Sequence, residues 1–199
     1  MLRTTRGSPM PSPTLTPPLS TPTANPPDRV SPLRDVLGQL RRLVERLDAQ
    51  AYNHKPVTTY AGSLGGHVRH CLDHVAALLA GTADKNGVVD YEARQRGGDI
   101  ETDPAAALEL MRRLDADLAA LQPDEPRQRE LTAVLMLSPH EPTLHAPSCL
   151  DRELAFVLNH TIHHNAMIGG MAKALGVDVP DDFGVAPGTL RHEQQRADG

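Results

Sequence analysis

The sequence predicts an all-α protein, a bundle of helices, and three observations lead there. Aromatic residues are 3% of the 199 residues and Trp is absent. The core must therefore be built from Leu, Val, Ala and Met, which suits helices better than sheets. Four segments repeat apolar residues at three- and four-residue spacing. Each begins or ends on residues that cap or stop helices.

Residues 1–30 hold most of the excess among 18 prolines, together with Ser and Thr, and read as a disordered tail. Arg3 and Arg6 are not followed by an apolar run, so this is not a signal peptide. Helix one starts at Ser31-Pro32, with Ser as the cap and Pro at the first helical position. Leu33, Val36, Leu37, Leu40, Leu43, Val44 and Leu47 form its apolar stripe. Arg34, Arg41, Arg42, Glu45 and Arg46 form a solvated face. The helix fades between Tyr52 and Pro56.

Ser63 caps helix two, which runs to about Ala80 and stops at Gly81. Gly65 and Gly66 in its first turn cost helix stability but let a backbone or a ligand come close. Residues 81–101 lack a clean period and stand open to two readings, a surface connection or a functional loop. Helix three starts at Thr102 or Asp103, carries Leu108, Met111, Leu114, Leu118 and Leu121, and ends at Pro123 and Pro126. Residues 131–137 and 143–146 suggest a small hairpin or an irregular loop, with His140 and His145 on its surface. Ser148 opens helix four, which reaches about Leu175 before the stop at Gly176. Residues 177–199 read as an extended segment that folds back through Phe183, Val185 and Leu190. The resulting division is a tail over 1–30, a bundle over 31–176 and a C-terminal segment over 177–199.

Several function classes are disfavoured. The net charge is -5 and no basic stripe is interleaved with aromatics, which speaks against nucleic acid. No run of 18 apolar residues exists, so no membrane-spanning helix is expected. Cys71 and Cys149 form neither a CxxC nor a disulfide framework, and a reducing, cytoplasmic setting fits them.

The chemistry concentrates in the histidines. His160, His163 and His164 lie within five residues of helix four. At ~100° per residue, His164 falls about 20° and His160 about 60° from the centre of the apolar face, and His163 roughly 120° away. The pair at i and i+4 therefore points inward and His163 sits at the edge. An unpaired buried ring nitrogen costs roughly 1–3 kcal/mol, and a metal would satisfy both rings at once. Helix two carries His67, His70 and His74. Rotation places His67 near the centre of its apolar arc, His70 toward the edge and His74 outside. Three imidazoles from two helices leave a metal with an open position, the arrangement of catalytic sites.

The run from Ser63 to Asp73 (SLGGHVRHCLD), followed by the His160/His164 pair, resembles the DinB/YfiT-like superfamily. The resemblance covers about residues 31–176. It implies an up-down-down-up four-helix bundle holding a divalent metal, with His70, His160 and His164 as ligands. Zn is the first expectation, with Ni, Fe or Mn as alternatives. Periodicity favours His67 as the third ligand and the family pattern favours His70; under the latter, His67 becomes the catalytic or substrate-side group. The segment with Tyr91, Arg94 and Arg96 departs from the family pattern. A substrate-binding role for these three, with an Arg gripping a carboxylate, stands beside a plain solvated charge run.

The resemblance further implies a metal-dependent hydrolase or a low-molecular-weight-thiol transferase acting on a small-molecule substrate, such as a thiol, and a homodimer. Two other readings stand beside it: a non-catalytic metal-binding stress or interaction protein, and a metal-free bundle with hydrogen-bonded histidines.

Overall fold

In the computed structural model, residues 28–56, 62–93, 98–121 and 129–199 are described. Residues 1–27 of the expected N-terminal tail, Arg94, Arg96 and the stop at Pro123 and Pro126 lie outside these residues. The described residues are mostly helical. They form α1 (Ser31–Val44), α2 (Ala49–Tyr52), α3 (Leu64–Ala83), α4 (Pro104–Ala120), α5 (Leu150–Ala174) and α6 (Pro187–Ala197), with strands β1 (Val88–Asp90), β2 (Glu130–Leu135) and β3 (Leu144–Cys149).

The four long helices make one core. α1 packs on α4 and α5, and α3 packs on the same two helices from the other side. Leu33, Leu37, Leu40 and Leu43 of α1, Val68, Leu72, Val75 and Leu78 of α3, Met111 and Leu118 of α4, and Leu154, Val157 and Ile168 of α5 fill the space between them. The caps at Ser63 and Asp103 follow from the sequence, whereas Ser148, expected to open helix four, lies in β3 and α5 begins at Leu150 without a side-chain cap. Ser63 Oγ accepts from Gly66 N at 3.0 Å, and Asp103 caps α4 through Ala105 N. The start of α1, however, is held by Asp28, whose Oδ1 accepts from the amides of Val30 and Ser31 at 3.0 Å each. A carboxylate three residues upstream thus does what the Ser31 hydroxyl was expected to do.

A three-stranded sheet in the order β1-β2-β3 corrects the all-α expectation. β2 and β3 are the antiparallel pair anticipated as a hairpin. β1 lies parallel to β2, with Val89 opposite Ala133, and the chain between them passes through α4. Its three residues are too few to show a period, which is why the sequence hides it. Val89 also explains Gly81. The helix does not stop there but runs on to Ala83. A Cβ on Gly81 would come within 2.5 Å of Val89 Cγ2 and 2.8 Å of the Val88 carbonyl oxygen. The glycine is a seat for the strand rather than a stop.

Gly65 works in the same way. A Cβ there would lie 2.2 Å from the Glu101 carbonyl oxygen and 2.5 Å from Tyr52 Cε1. The close approach allowed by glycine lets residues 99–101, a 3-10 turn, lie against the start of α3. Beyond Gly176, which adopts φ +77°, Val179 and Phe183 return to the core; of the three residues expected to fold back, Phe183 does so, Val185 is half-buried and Leu190 is exposed. The remainder is not extended: α6 follows Ala186-Pro187, a favourable helix start, and none of its residues is buried.

Candidate metal centre

α5 is buried on two sides, and this sets the site. Thr161 and Asn165 are fully buried, and Asn165 Nδ2 donates to the Val36 carbonyl of α1 at 3.3 Å. His160 and His164 face the other way, toward α3. There they meet His67, His70 and His74, spaced at three and four along one face of that helix. His67 contacts His164 at one end, His74 contacts His160 at the other, and His70 touches both His160 and His164. The two helices therefore cross in opposite senses, and five imidazoles form a continuous row.

Within the row, one group converges. His70, His74 and His160 each offer a ring nitrogen, and these three atoms lie within 4.8 Å of one another. Ligand nitrogens at about 2.0–2.1 Å from a tetrahedral Zn sit roughly 3.3 Å apart. The group is thus within a small side-chain adjustment of a chelating set. The tautomer of one member also suits it. His74 Nδ1 is 2.9 Å from the His70 carbonyl oxygen, so Nδ1 carries the proton and donates it. That leaves the Nε2 lone pair for a metal, and such a bond to a backbone carbonyl is the usual partner of a ligating histidine. The donor set is three nitrogens with no carboxylate or thiolate, which matches Zn, Ni, Cu or Fe and not Mg or Ca. These residues fit a divalent transition metal and could hold one.

His164 and His67 adjoin the group. Their Nδ1 atoms are 3.2 Å apart. Burial pushes the His67 imidazolium below its ordinary range, and His163 adds to the shift. Burial, followed by the charges of His67, His163 and His74, pushes His164 down to about 4. Without a metal both rings are neutral at pH 7, and one of the facing Nδ1 atoms donates to the other.

Behind the row is a buried carboxylate. Tyr91 stacks on His74, with ring centres 5.2 Å apart and planes at 22°, and its hydroxyl donates to Glu153 Oε2 at 2.6 Å. Glu153 is fully buried. Its other oxygen accepts from Ser148 Oγ, and from Arg152 Nη1 at 2.6 Å. Burial raises the Tyr91 phenol, and the Glu153 carboxylate raises it further, so it stays protonated and donating.

The sequence-derived site residues fall as follows. His70 and His160 are in the converging group. His164 is beside it, with its ring centre 4.7 Å from that of His70. His67 contacts His164. Tyr91 is 3% exposed and backs His74. Asp73 accepts from Arg69 at 2.8 Å, and Arg69 also reaches Glu101 at 3.2 Å. His163 is exposed, as its angle predicts, and so are His140 and His145.

His74, which periodicity placed outside the apolar arc of its helix, is only 6% exposed. α3 is covered by β1 as well as by α4 and α5, so its buried arc is wider than its aliphatic residues indicate. The i, i+4 relation of His70 and His74 was the available signal. Glu153 reads from sequence as a helix-start acid, and nothing local marks it as buried.

Comparison with known proteins bears on this geometry. A stretch of 113 residues is 33% identical to a protein of Rhizopus delemar named FK506-binding protein 5, covering 53% of this chain and 27% of that relative. The chain thus spans about a quarter of that protein's length. The family model of the DinB superfamily matches residues 33–168. That span runs from the first core leucine of α1 to Ile168 and contains all five histidines of the row. The chain belongs to the DinB superfamily.

Proposed function

We propose that the protein is a metal-dependent enzyme, either a hydrolase or a low-molecular-weight-thiol transferase, working in the cytoplasm on a small-molecule substrate. The observation that carries this reading is the convergence of His70, His74 and His160 within 4.8 Å, with His74 already in the ligating tautomer. A divalent metal held there, Zn in the first instance, would polarise a substrate and lower the pKa of a water or thiol at its open position. Three protein ligands with one position left over is the pattern of catalytic rather than structural zinc.

The chain's own residues divide the remaining work. His70 and His160 hold the centre from two helices. Tyr91 lies flat against His74 and limits its rotation, while Glu153 fixes Tyr91 through its hydroxyl. His67 and His164, neutral at pH 7, are the groups that accept the proton released by a water or thiol, and His67 is the catalytic residue of the pair. A general base acts within hydrogen-bond reach of the proton it takes, directly or through one water. The packing of α1 and α3 against both α4 and α5 supports an up-down-down-up four-helix bundle as the frame.

The test offers the metal-loaded protein a panel of low-molecular-weight thiols with electrophiles, and of esters and amides. We expect turnover that requires the metal and is lost in His160→Ala. Full metal loading with no turnover on either panel would favour a non-catalytic metal-binding protein.

A further inference from the structure

Arg152, Phe156, His160 and His164 follow one another at four-residue spacing along α5, so their side chains share one stripe of the helix. The contacts run along that stripe without a break. The guanidinium carbon of Arg152 lies over the Phe156 ring, 5.0 Å from its centre. The Phe156 ring centre is in turn 5.9 Å from that of His160 and 6.2 Å from that of His74. One aromatic ring thus stands between a cation and two of the histidines that converge.

The cation is held in place without being enclosed. Arg152 Nη1 donates to Glu153 Oε1 at 2.6 Å. Glu153 is fully buried and is itself fixed by the hydroxyls of Tyr91 and Ser148. The face of Phe156 supports the flat guanidinium. The Arg152 side chain nonetheless stays 51% exposed, and the bond to Glu153 occupies one edge of a fork with several N–H donors. Neutralising Glu153 does not call for the stack on Phe156, which keeps the guanidinium on the stripe that leads to His160. A planar fork fixed beforehand is suited to a carboxylate. The metal side of the stripe favours the same charge. The converging donors are neutral imidazole nitrogens, so a divalent ion held there would keep its full positive charge.

We infer that Arg152 is a specificity-determining residue that takes a carboxylate of the substrate, so that the protein acts on anionic small molecules whose reacting end lies at the metal. This rests on the metal centre proposed above. Arg152 and His160 are about 12 Å apart along the helix axis, at ~1.5 Å per residue. A short molecule with two functional ends fits that span, and a single small anion does not.

The experiment loads the full chain with Co(II) and titrates it with mercaptohexanoate and with mercaptohexanol, which have the same chain length and differ in charge at the far end. A thiolate is a metal ligand, and its charge-transfer band in the near ultraviolet reports binding whichever reaction the site performs. Wild type is expected to bind the acid at least roughly tenfold more tightly than the alcohol, equivalent to about 1.4 kcal/mol. Mercaptoacetate, too short to reach Arg152, is expected to show no such gain over mercaptoethanol. Arg152→Gln is expected to lose the preference by weakening the acid, with the alcohol unchanged within about twofold. If circular dichroism shows that this variant does not fold, Glu153→Gln is added to it, so that no buried charge is left without its partner.

A merely structural role, in which Arg152 only neutralises Glu153, predicts equal weakening of acid and alcohol, and that result overturns the proposal. So does a wild type that binds both alike, a preference that survives in Arg152→Gln, or an equal gain for mercaptoacetate. A wild type that binds Co(II) but neither thiol also overturns it and leaves the metal centre standing. A wild type that binds no Co(II) refutes the metal centre itself.

Discussion

Replacing Tyr91 by Phe separates the two things this residue does. Its hydroxyl gives Glu153 a 2.6 Å hydrogen bond, in a place where the carboxylate is fully buried. Its ring, which the substitution keeps, stacks on His74. A hydrogen bond to a charged group contributes roughly 1.5–3 kcal/mol. Glu153 retains Ser148 and Arg152 on its other oxygen, so one oxygen and not the whole carboxylate loses its partner. We therefore expect a loss of about 2 kcal/mol, which for a domain of this size lowers Tm by about 4–8 °C. Urea denaturation of the metal-free protein, read by far-UV circular dichroism, measures the first figure as a fall in midpoint at constant m. Metal affinity should change less than about twofold, because the stacking face is intact. A stability loss under about 0.5 kcal/mol would mean that the Tyr91–Glu153 bond contributes little beyond a surface contact. A large drop in metal affinity with unchanged stability would mean that the hydroxyl, not the ring, acts on the site.

Gly65→Ala should destabilise by more than about 2 kcal/mol, although Ala is the better helix former by ~1 kcal/mol. The added Cβ meets the Glu101 backbone oxygen at 2.2 Å, and denaturant midpoints of the two proteins compare directly. The metal-free protein should lose stability on acidification. His164 is pushed down to about 4 in the folded state, while an unfolded histidine titrates near ~6.5. The unfolded chain thus binds the extra proton, and this contribution, complete above about pH 6.5, is lost progressively toward pH 4. The ring is only half-buried, so solvent screening holds the loss to roughly 1–2 kcal/mol. His164→Ala should flatten that part of the Tm-against-pH curve, and an unaltered curve would count against the shift.

What the sequence made legible is what repeats along a helix. The stripes of α1, α4 and α5, the caps at Ser63 and Asp103, and the inward direction of His160 with the outward direction of His163 all follow from spacing within one element. What stayed hidden depends on a neighbour far away in the chain. β1 is a strand because Glu130–Leu135 lies beside it. Gly81 sits inside its helix because Val89 needs its space. His74 is buried because β1 and Tyr91 cover a side of α3 that carries few aliphatic residues. The buried state of Glu153 needs Tyr91, 62 positions away. Candidate ligands were thus visible one helix at a time, whereas the grouping of His70 and His160 with His74 depends on how the two helices meet.

The most direct test of the account is metal analysis of the purified chain by mass spectrometry, with His70→Ala, His74→Ala and His160→Ala beside wild type and circular dichroism to confirm their folds. We expect about one divalent transition-metal ion per wild-type chain, and affinity lowered at least roughly 10–100-fold in each variant. A wild type without stoichiometric metal after exposure to Zn, Ni, Fe and Mn salts, or a His160→Ala protein that retains its metal in full, would contradict the claim that these histidines are a metal centre.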